Sequence, residues 1–306
     1  MCLVVGGERL VTGAARLARY WGLPTLLIGV TIVAIGTSAP ELLVSIMASF
    51  EAKPGIAVGN ALGSNISNIG LVIGFAALIR PINVLSKAIN FEFAILFILM
   101  LISVIVFNDG NLTFGDGCIL LACFLLCMIA MTWHALKQPL TIETTQKRAH
   151  SFTARSSWLS LGWLMIGVLL LPLGSELLIK GATGMARNLG ISELMIGLTI
   201  VSIGTSLPEL MASLMGVIKR EDDIALGNII GSNIFNLGIL SFPAMIAPFN
   251  FGLQLVVRDF GVMLVITLLF YLMCRSKAET VVQITRSKGA LLIFIYLCYF
   301  ALLISK

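Results

Sequence analysis

Charged residues are scarce in this sequence, and that scarcity sets the class of protein. They make up 11% of the 306 residues, whereas 58% are hydrophobic, and a soluble domain carries about 25% charged residues. Such a chain cannot cover a surface that faces water. Apolar stretches of about 20 residues, each enough to cross the hydrocarbon core of a bilayer, recur along its whole length. The composition therefore predicts a protein that crosses a membrane many times.

Several patterns that would indicate other classes are absent. The alternation of a transmembrane barrel does not occur, so helices are expected to satisfy the backbone within the lipid. The six cysteines form no CxxC pair and are interpreted as small buried hydrophobic residues. No Walker A, HExxH or GxSxG pattern occurs, so we expect neither an ATP-driven pump nor any enzyme, and no cofactor. The net charge of +5 fits basic loops beside a membrane better than a nucleic-acid partner.

One pair of motifs occurs twice in the chain. The segment GTSAPEL at 36–42 returns as GTSLPEL at 204–210, so Glu209 follows Glu41 by 168 residues. Downstream, GNALGSNISN at 59–68 returns as GNIIGSNIFN at 227–236 with the same offset. About half of the positions between residues 6 and 70 are identical to their counterparts, which indicates an internal duplication.

The hydropathy pattern predicts ten membrane-spanning helices, five in each half. The first half, residues 1–136, has spans near 1–20, 24–50, 55–79, 89–107 and 114–136. A polar connector at 137–157 leads to the second half, residues 158–306, with spans near 158–187, 192–217, 223–248, 255–274 and 288–304. Because five is odd, the halves cross the membrane in opposite senses, as in many secondary transporters. The expected fold is an all-α membrane protein of two inverted five-helix repeats with broken helices at the centre.

Basic residues indicate how the chain is oriented in the membrane. Most of the 20 lysine and arginine residues lie in or beside the loops that follow spans 1, 3, 5, 7 and 9. The positive-inside rule places those loops and the connector in the cytoplasm, with both termini outside. Only five residues precede Gly6, whereas a long apolar run precedes the equivalent Gly174. Either the first helix is short or the true start lies upstream.

The repeated motif combines a helix break with oxygen-bearing side chains. Pro40 and Pro208 lack an N–H, so the carbonyls of Gly36 and Gly204 lose their helical partners and become candidate ligands. A break of this kind is tolerated at membrane depth only where it faces protein or a water-filled cavity. The motif therefore predicts an irregular segment beside a polar interior site.

Spacing places further oxygens beside each break. Thr37 and Glu41 lie four residues apart and share a helix face, as do Ser64 and Asn68 in the next span. The second half repeats the pattern at equivalent positions. Hydroxyl, amide, carbonyl and carboxylate oxygens suit Ca²⁺ or an alkali cation rather than zinc or copper. Because two carboxylates in a bilayer must be neutralised by a cation or by protons, the pattern predicts competition between cations at one site.

These motifs resemble those of the cation/Ca²⁺ exchanger superfamily, the sodium/calcium antiporters, and are most similar to its small bacterial inner-membrane members. The resemblance covers both repeats, and the ten-span plan agrees with it. It implies an inner-membrane location and four central ion sites between the second and third helices of each half. By position, the implied metal ligands are Glu41, Thr37, Ser38, Ser64 and Asn68, with Glu209, Thr205, Ser206, Ser232 and Asn236, and main-chain carbonyls near Ala34 and Ser202.

The sequence departs from the family pattern at one of these positions. Some archaeal and potassium-dependent members have Asp where Asn236 stands, so the neutral amide leaves stoichiometry and K⁺ dependence open. The proton-coupled branch typically has Asn and Ala before its Glu, unlike the Thr-Ser-x-Pro found here. The short connector cannot hold the Ca²⁺-sensing domains of the animal exchangers, so no regulatory domain is expected.

The expected function is a secondary antiporter, in which Na⁺ enters down its gradient and Ca²⁺ leaves by alternating access. Its partners are then Ca²⁺, Na⁺ and the lipid bilayer, with no obligatory protein partner. An H⁺/Ca²⁺ antiporter is an alternative, because protonation also neutralises the two glutamates. A cation channel, in which the broken helices form a filter, is an alternative of another class. A non-transporting scaffold is a further alternative, which the duplicated carboxylates disfavour.

Other polar residues have two interpretations from sequence alone. Four residues near the motifs either contribute to the site or pack helices together: Ser45, Ser213, Asn65 and Asn233. Glu8 and Glu176, at equivalent positions, either pair with nearby basic residues or line an ion path. The acidic segment 221–223 indicates either a solvated helix N-terminus or a means of attracting cations towards the site.

Overall fold

The computed structural model describes residues 1–85, 89–137, 154–188, 202–251, 256–276 and 281–304, and within them the chain is mostly helical. Most of the predicted connector and the start of the predicted seventh span lie outside these ranges. In the first half the helices are α1 (Cys2–Trp21), α2 (Thr25–Ile28), α3 (Ala34–Thr37), α4 (Ala39–Phe50), α5 (Pro54–Ser67), α6 (Gly74–Ile79), α7 (Asn90–Val106) and α8 (Phe114–Lys137). In the second half they are α9 (Ala154–Asn188), α10 (Ser202–Thr205), α11 (Leu207–Ile218), α12 (Asp222–Ile239), α13 (Ser241–Ile246), α14 (Gly261–Cys274) and α15 (Arg286–Ile304).

Six helices of the described chain are long and apolar enough to cross a membrane, and the bent pair Thr25–Thr37 and Ala39–Phe50 makes a seventh. These seven fall at predicted positions. At the other three positions, α1 carries four charged side chains, α7 is 17 residues long, and α11 covers only the described part of its span. A multi-pass helical protein is confirmed, and the complete set of ten spans stays a prediction.

Two first-half spans are interrupted by π-helical segments. One, Gly29–Val33, separates α2 from α3, and the other, Asn68–Ile73, separates α5 from α6. Such segments widen a helix locally and are frequent at functional sites. In the second half, by contrast, α12 runs as regular α-helix through the stretch equivalent to α5 and the start of Asn68–Ile73. The duplicated sequence therefore does not give two identical local structures.

Within the described ranges, two short antiparallel ribbons connect the halves. Strand β1 (Ile82–Leu85) pairs with β4 (Val281–Ile284), and β2 (Asn111–Leu112) pairs with β3 (Phe249–Asn250). The all-α prediction omitted them, because hydropathy marks long apolar segments and these strands belong to the loops between helices. Each ribbon joins one strand from each half, so backbone hydrogen bonds add to helix packing in holding the halves together.

Packing between the halves is centred on α12, which is almost entirely buried. Its side chains join those of α5, α7 and α14 in the larger of two apolar clusters, and α1 with α9 forms the core of the other. At Gly231, an added Cβ would stand 2.3 Å from the carbonyl oxygen of Val30. This close approach brings α12 against the second span, which leads directly to the first GTSAPEL segment.

Large apolar side chains cover the outside of the molecule. Leu101 and Ile105 on α7 and Leu126 on α8 are 60 to 65% exposed. Apolar surface on this scale is unfavourable in water and favourable against lipid tails. The exposed faces thus agree with the membrane location that the composition predicted.

Candidate cation site

Both copies of the GTSxPEL motif interrupt a helix at their serine. In the first copy α3 ends at Thr37, α4 begins at Ala39, and the two axes differ by 45°. In the second copy Ser206 separates α10 from α11, with φ −84° and ψ 3°, close to the φ −83° and ψ 8° of Ser38. Each proline lies in the first turn of the following helix, where its missing N–H has no acceptor to lose. The predicted break is present in both copies.

Both motif glutamates lie in the interior. Glu41 and Glu209 are fully buried in the first turns of α4 and α11. Glu209 Oε1 accepts a hydrogen bond from Ser38 Oγ at 3.0 Å. Both carboxylate oxygens of Glu41, and Oε2 of Glu209, have no hydrogen-bond partner among the described residues. Because buried ionised carboxylates without partners are strongly unfavourable, these oxygens require a cation or a proton.

The threonine of each motif reaches an asparagine of the opposite half. Thr37 Oγ1 donates to Asn228 Oδ1 at 2.9 Å, and it lies 3.4 Å from Ser232 Oγ. The equivalent Thr205 Oγ1 donates to Asn60 Oδ1 at 3.4 Å. These contacts place the hydroxyls between the two motifs rather than on the lipid-facing surface.

The remaining predicted hydroxyls lie in the same region. Ser206 Oγ lies 3.1 Å from Ser67 Oγ, a residue of the first-half helix α5. Every predicted hydroxyl ligand is at most 4% exposed: Thr37, Ser38, Ser64, Thr205, Ser206 and Ser232. The structure therefore brings the predicted hydroxyls into the interior together with the two glutamates.

The two predicted amide ligands differ in their partners. Asn68 Nδ2 donates to Asn233 Oδ1 at 3.0 Å, and Asn68 Oδ1 has no partner within the described ranges. Neither terminal atom of Asn236 has a partner there. Both side chains are almost completely buried. Leaving a buried polar group unpaired costs about 1–3 kcal/mol, so a further group that pairs with these amide atoms would be favourable.

The carbonyls predicted near Ala34 and Ser202 are described in part. Ala34 O accepts from the backbone N–H of Ser38 at 2.9 Å and from Thr37 Oγ1 at 3.2 Å. The Thr37 hydroxyl has one hydrogen and lies closer to Asn228 Oδ1, so when it donates there Ala34 O keeps one lone pair free. Ser202 begins α10, directly before the second motif.

The carbonyl of Gly204, which Pro208 deprives of its helical partner, was predicted to be free but is hydrogen-bonded. Gly204 O accepts a hydrogen bond from the Ser175 hydroxyl on α9. The counterpart of Ser175 in the first half is Gly7, which has no hydroxyl to offer Gly36. The two breaks thus have different surroundings although their sequences match.

The candidate ligand atoms of this region are all oxygens. Within the described part of the chain, no three His, Cys, Asp or Glu side chains are grouped so that they could hold a metal ion by themselves. The site instead combines two carboxylates with amide and hydroxyl oxygens. Ca²⁺ takes six to eight oxygen ligands, including neutral ones, and alkali cations also prefer oxygen. The arrangement can bind a hard cation between the two motifs.

Comparison with known proteins extends over nearly the whole chain. Residues 1–133 and 159–305 match the model of the sodium/calcium exchanger protein family. The chain belongs to that family. It is 42% identical to CaxA of Alkalimonas amylolytica, over 99% of this chain and 96% of that protein. It is 38% identical to the inner membrane protein YrbG of Escherichia coli (strain K12), over 99% and 94% of the two chains.

A solved structure supports the same relationship. The sodium-calcium exchanger NCX_Mj, soaked with Na⁺ and Sr²⁺, matches this exchanger with a TM-score of 0.84 and 33% identity, covering 98% of this chain and 94% of that one. The helical membrane-exchanger fold is therefore shown. The family consists of membrane exchangers, so the prediction that the protein is not an enzyme is confirmed.

Sequence reasoning missed two residues that contact both motifs at the candidate site, Asn60 and Asn228. Asn60 Nδ2 donates to Glu41 O at 3.2 Å, and Asn228 Nδ2 donates to Glu209 O at 3.4 Å. Each asparagine therefore holds the glutamate helix of its own half while its oxygen accepts from the threonine of the other half. Their place in the duplicated GN pairs, at the 168-residue offset, was the signal that could have identified them.

The structure also shows contacts of four residues that the sequence left open to two interpretations. Ser45 and Ser213 donate to carbonyls of the next helix at 3.4 and 3.5 Å, which favours helix packing. Glu8 pairs with Lys219 at 3.2 Å and Glu176 pairs with Lys180 at 2.5 Å. Both glutamates therefore pair with basic residues, which was the first of their two interpretations.

The acidic segment 221–223 begins α12, as its sequence indicated, but it is not simply solvated. Glu221 pairs with Arg19 at the end of α1, and Asp222 pairs with Arg80 after α6. Thr25 Oγ1 also donates to Asp223 at 3.2 Å. The segment therefore ties three first-half elements to the start of α12.

Proposed function

We propose that this exchanger is a secondary antiporter that exchanges Na⁺ for Ca²⁺ by alternating access at the site between the two motifs. The observation that carries the proposal is the pair of fully buried glutamates, Glu41 and Glu209. Three of their four carboxylate oxygens have no partner in the described part of the chain. One Ca²⁺ or several monovalent cations can neutralise the same two charges, so occupancy by one excludes the other. The name of NCX_Mj supports this choice of ions.

The proposed ligands are oxygen atoms from both halves. Burial, proximity and lack of alternative partners favour the two glutamates and the two amides most strongly. The hydroxyls and carbonyls complete the coordination as the helices shift during the cycle. The full proposed set is Glu41, Glu209, Thr37, Ser38, Thr205, Ser206, Ser64, Ser232, Asn68 and Asn236, with the carbonyls of Ala34 and Ser202.

We further propose that ten helices form two inverted halves, residues 1–136 and 158–306, joined by the connector 137–157. Reciprocal contacts support this architecture. Asn65 Nδ2 donates to Asn233 O and Asn233 Nδ2 donates to Asn65 O, both at 3.2 Å, as expected beside a local twofold axis. The basic loops support a cytoplasmic connector with both termini outside. The name of YrbG supports an inner-membrane location.

The test is Ca²⁺ uptake into liposomes that contain the purified protein and carry an outward Na⁺ gradient at fixed pH. We expect uptake that requires internal Na⁺ and disappears in Glu41→Gln. Glu51→Gln is the matched control, because Glu51 is exposed and lies at the end of the same helix. This variant should retain wild-type uptake.

Other outcomes of this assay distinguish the alternatives. Uptake that ignores Na⁺ but follows a pH gradient would replace Na⁺ by H⁺ as the coupling ion. Single-channel currents in a planar bilayer would indicate a channel, because coupled exchange is too slow to give them. Full uptake by well-folded Glu41→Gln would overturn the proposed site.

A further inference from the structure

Asn233 connects the backbone of Asn65 to the side chain of the proposed ligand Asn68. Asn233 Nδ2 donates to the backbone carbonyl of Asn65 at 3.2 Å, and Asn233 Oδ1 accepts from Asn68 Nδ2 at 3.0 Å. All three side chains are buried, at about 1% exposure. The three residues form one chain of hydrogen bonds that ends at the site.

The direction of this chain is fixed by chemistry. A backbone carbonyl can only accept, so Asn233 must present its Nδ2 to Asn65 O. Its Oδ1 then points to Asn68 and can only accept, so Asn68 must present its Nδ2 in return. The oxygen of Asn68 is left on the opposite side, where it has no partner within the described ranges. A cation needs that oxygen, since an amide nitrogen would repel it.

The other half lacks the matching bond. Asn65 Nδ2 donates to Asn233 O at 3.2 Å, and the matching bond would join Asn65 Oδ1 to Asn236 Nδ2. Yet Asn65 Oδ1 and both terminal atoms of Asn236 have no partner in the part of the chain described. Asn68 begins a π-helical segment, whereas Asn236 lies within regular α-helix. The amide of Asn68 is therefore oriented in this conformation, and that of Asn236 is not.

We propose that Asn233 is a positioning residue for cation binding: it does not contact the ion, but it holds the oxygen of Asn68 towards it. The inference rests on the proposed role of Asn68 as a ligand. Removing the Asn233 amide frees Asn68 to rotate, so part of the population presents nitrogen to the site. The loss of one orienting hydrogen bond corresponds to a Ca²⁺ dissociation constant raised about two- to tenfold.

The test introduces Asn233→Ala into the wild-type protein and into the Asn68→Asp variant. Calorimetry then measures the Ca²⁺ dissociation constant of each protein. In the wild-type background the dissociation constant should rise. In the Asn68→Asp background it should fall or stay unchanged. A carboxylate offers oxygen on both sides and needs no orientation, and Asn233 Oδ1 opposes it as one acceptor against another. Weakened binding in the wild-type background alone would not follow from loosened packing, which would weaken binding in both backgrounds.

Asn65→Ala is the matched control. It removes an equivalent hydrogen bond to a backbone carbonyl without touching Asn68, so its effect should be the same in both backgrounds. Where Asn233→Ala does not give folded protein, Asn233→Ser replaces it, because its hydroxyl is too short to bridge both partners. Equal weakening of binding by the Asn233 variant in both backgrounds overturns the inference.

Failure of the inference can be separated from failure of the proposed function. If Asn68→Ala leaves Ca²⁺ affinity unchanged, Asn68 is not a ligand, and the proposed site is wrong at that position. If Asn68→Ala weakens binding while Asn233→Ala has no effect in either background, the site stands. In that case the positioning role is wrong.

Discussion

Ser38 in the first motif donates a hydrogen bond to Glu209 in the second, with 3.0 Å between Oγ and Oε1. Its counterpart Ser206 contacts Ser67 instead, at 3.1 Å. Both oxygens of Glu41 lack a partner among the residues described. The two acids are therefore unequal despite their duplicated motifs. Glu209 is partly satisfied by the protein, and Glu41 depends on a cation or a proton.

This inequality predicts that Glu41→Gln stabilises the protein when no cation is present. Without a cation, Glu41 either stays an uncompensated buried charge or takes up a proton, and both are unfavourable relative to a neutral amide, so the melting temperature in chelator should rise. Glu209→Gln should raise it less, because Ser38 then loses its charged acceptor. Thermal unfolding in detergent measures both. A lower melting temperature for Glu41→Gln than for wild type in chelator would contradict the prediction.

The same variant should lose its response to Ca²⁺. A ligand at one hundred times its dissociation constant stabilises the folded state by about 2.7 kcal/mol, so wild-type protein should melt at a higher temperature with Ca²⁺. Glu41→Gln should show no such shift, whereas Glu51→Gln, an exposed control on the same helix, should show all of it. A full shift in Glu41→Gln would mean that Ca²⁺ binds elsewhere.

Ca²⁺ affinity should fall as the pH falls. Protons and Ca²⁺ neutralise the same two carboxylates, so Ca²⁺ must displace any proton bound to Glu41 or Glu209. Each displaced proton weakens the apparent affinity about tenfold for each pH unit of acidification. Ca²⁺ titrations in a series of buffers measure the slope, and Glu209→Gln should show a shallower one. An affinity that stays constant from neutral to acidic pH would refute shared occupancy.

The pair of Arg80 and Asp222 should contribute measurably to stability. Arg80 also donates to the carbonyl of Val217 at 2.7 Å, and Asp222 accepts from the backbone of Asn83 at 3.0 Å. Because Asp222 is largely buried, Arg80→Met removes its cationic partner and leaves only the Asn83 N–H donating to this carboxylate, at a cost of about 1–3 kcal/mol. Chemical denaturation in detergent measures the change.

An exposed pair provides the comparison for Arg80→Met. Lys53 and Glu51 lie 2.9 Å apart with more than half of each side chain exposed. Such pairs contribute about 0–1 kcal/mol, so Lys53→Met should change stability little. If Arg80→Met and Lys53→Met lowered the free energy of unfolding equally, burial of the Arg80 pair would have no effect on stability.

The sequence was sufficient to predict the class of protein, the two helix breaks and the burial of the two glutamates. These follow from composition, from proline chemistry and from the 168-residue offset, each of which is local or periodic. The contacts of Thr37 with Asn228 and of Thr205 with Asn60 could not be predicted in the same way. They depend on how two helices from different halves are placed against each other, and hydropathy carries no information on that placement.

Differences between the halves were also out of reach of the sequence. GSNISN and GSNIFN are nearly identical, yet Asn68 begins a π-helical segment and Asn236 lies in regular helix. A duplicated sequence predicts equal structures, whereas a transporter in one conformation must hold its halves differently. The short ribbons were missed for another reason, since strands of two to four residues leave no clear hydropathy pattern.

Close packing of α12 against the second span predicts that Gly231→Ala is destabilising. The new Cβ would stand 2.3 Å from the Val30 carbonyl oxygen, a distance that only a backbone shift can relieve. Overpacking of this kind costs about 1–3 kcal/mol, and the shift would also displace Ser232 from the candidate site, so transport should fall together with stability.

Gly162→Ala is the control, because Gly162 is exposed on α9 and no described atom lies within 4 Å of its added Cβ. There the gain in helix propensity, about 0.5–1 kcal/mol, should leave stability unchanged or raised. Chemical denaturation and Na⁺-driven Ca²⁺ uptake should be measured for both variants. Equal stability and equal uptake would show that α12 and the second span can separate freely.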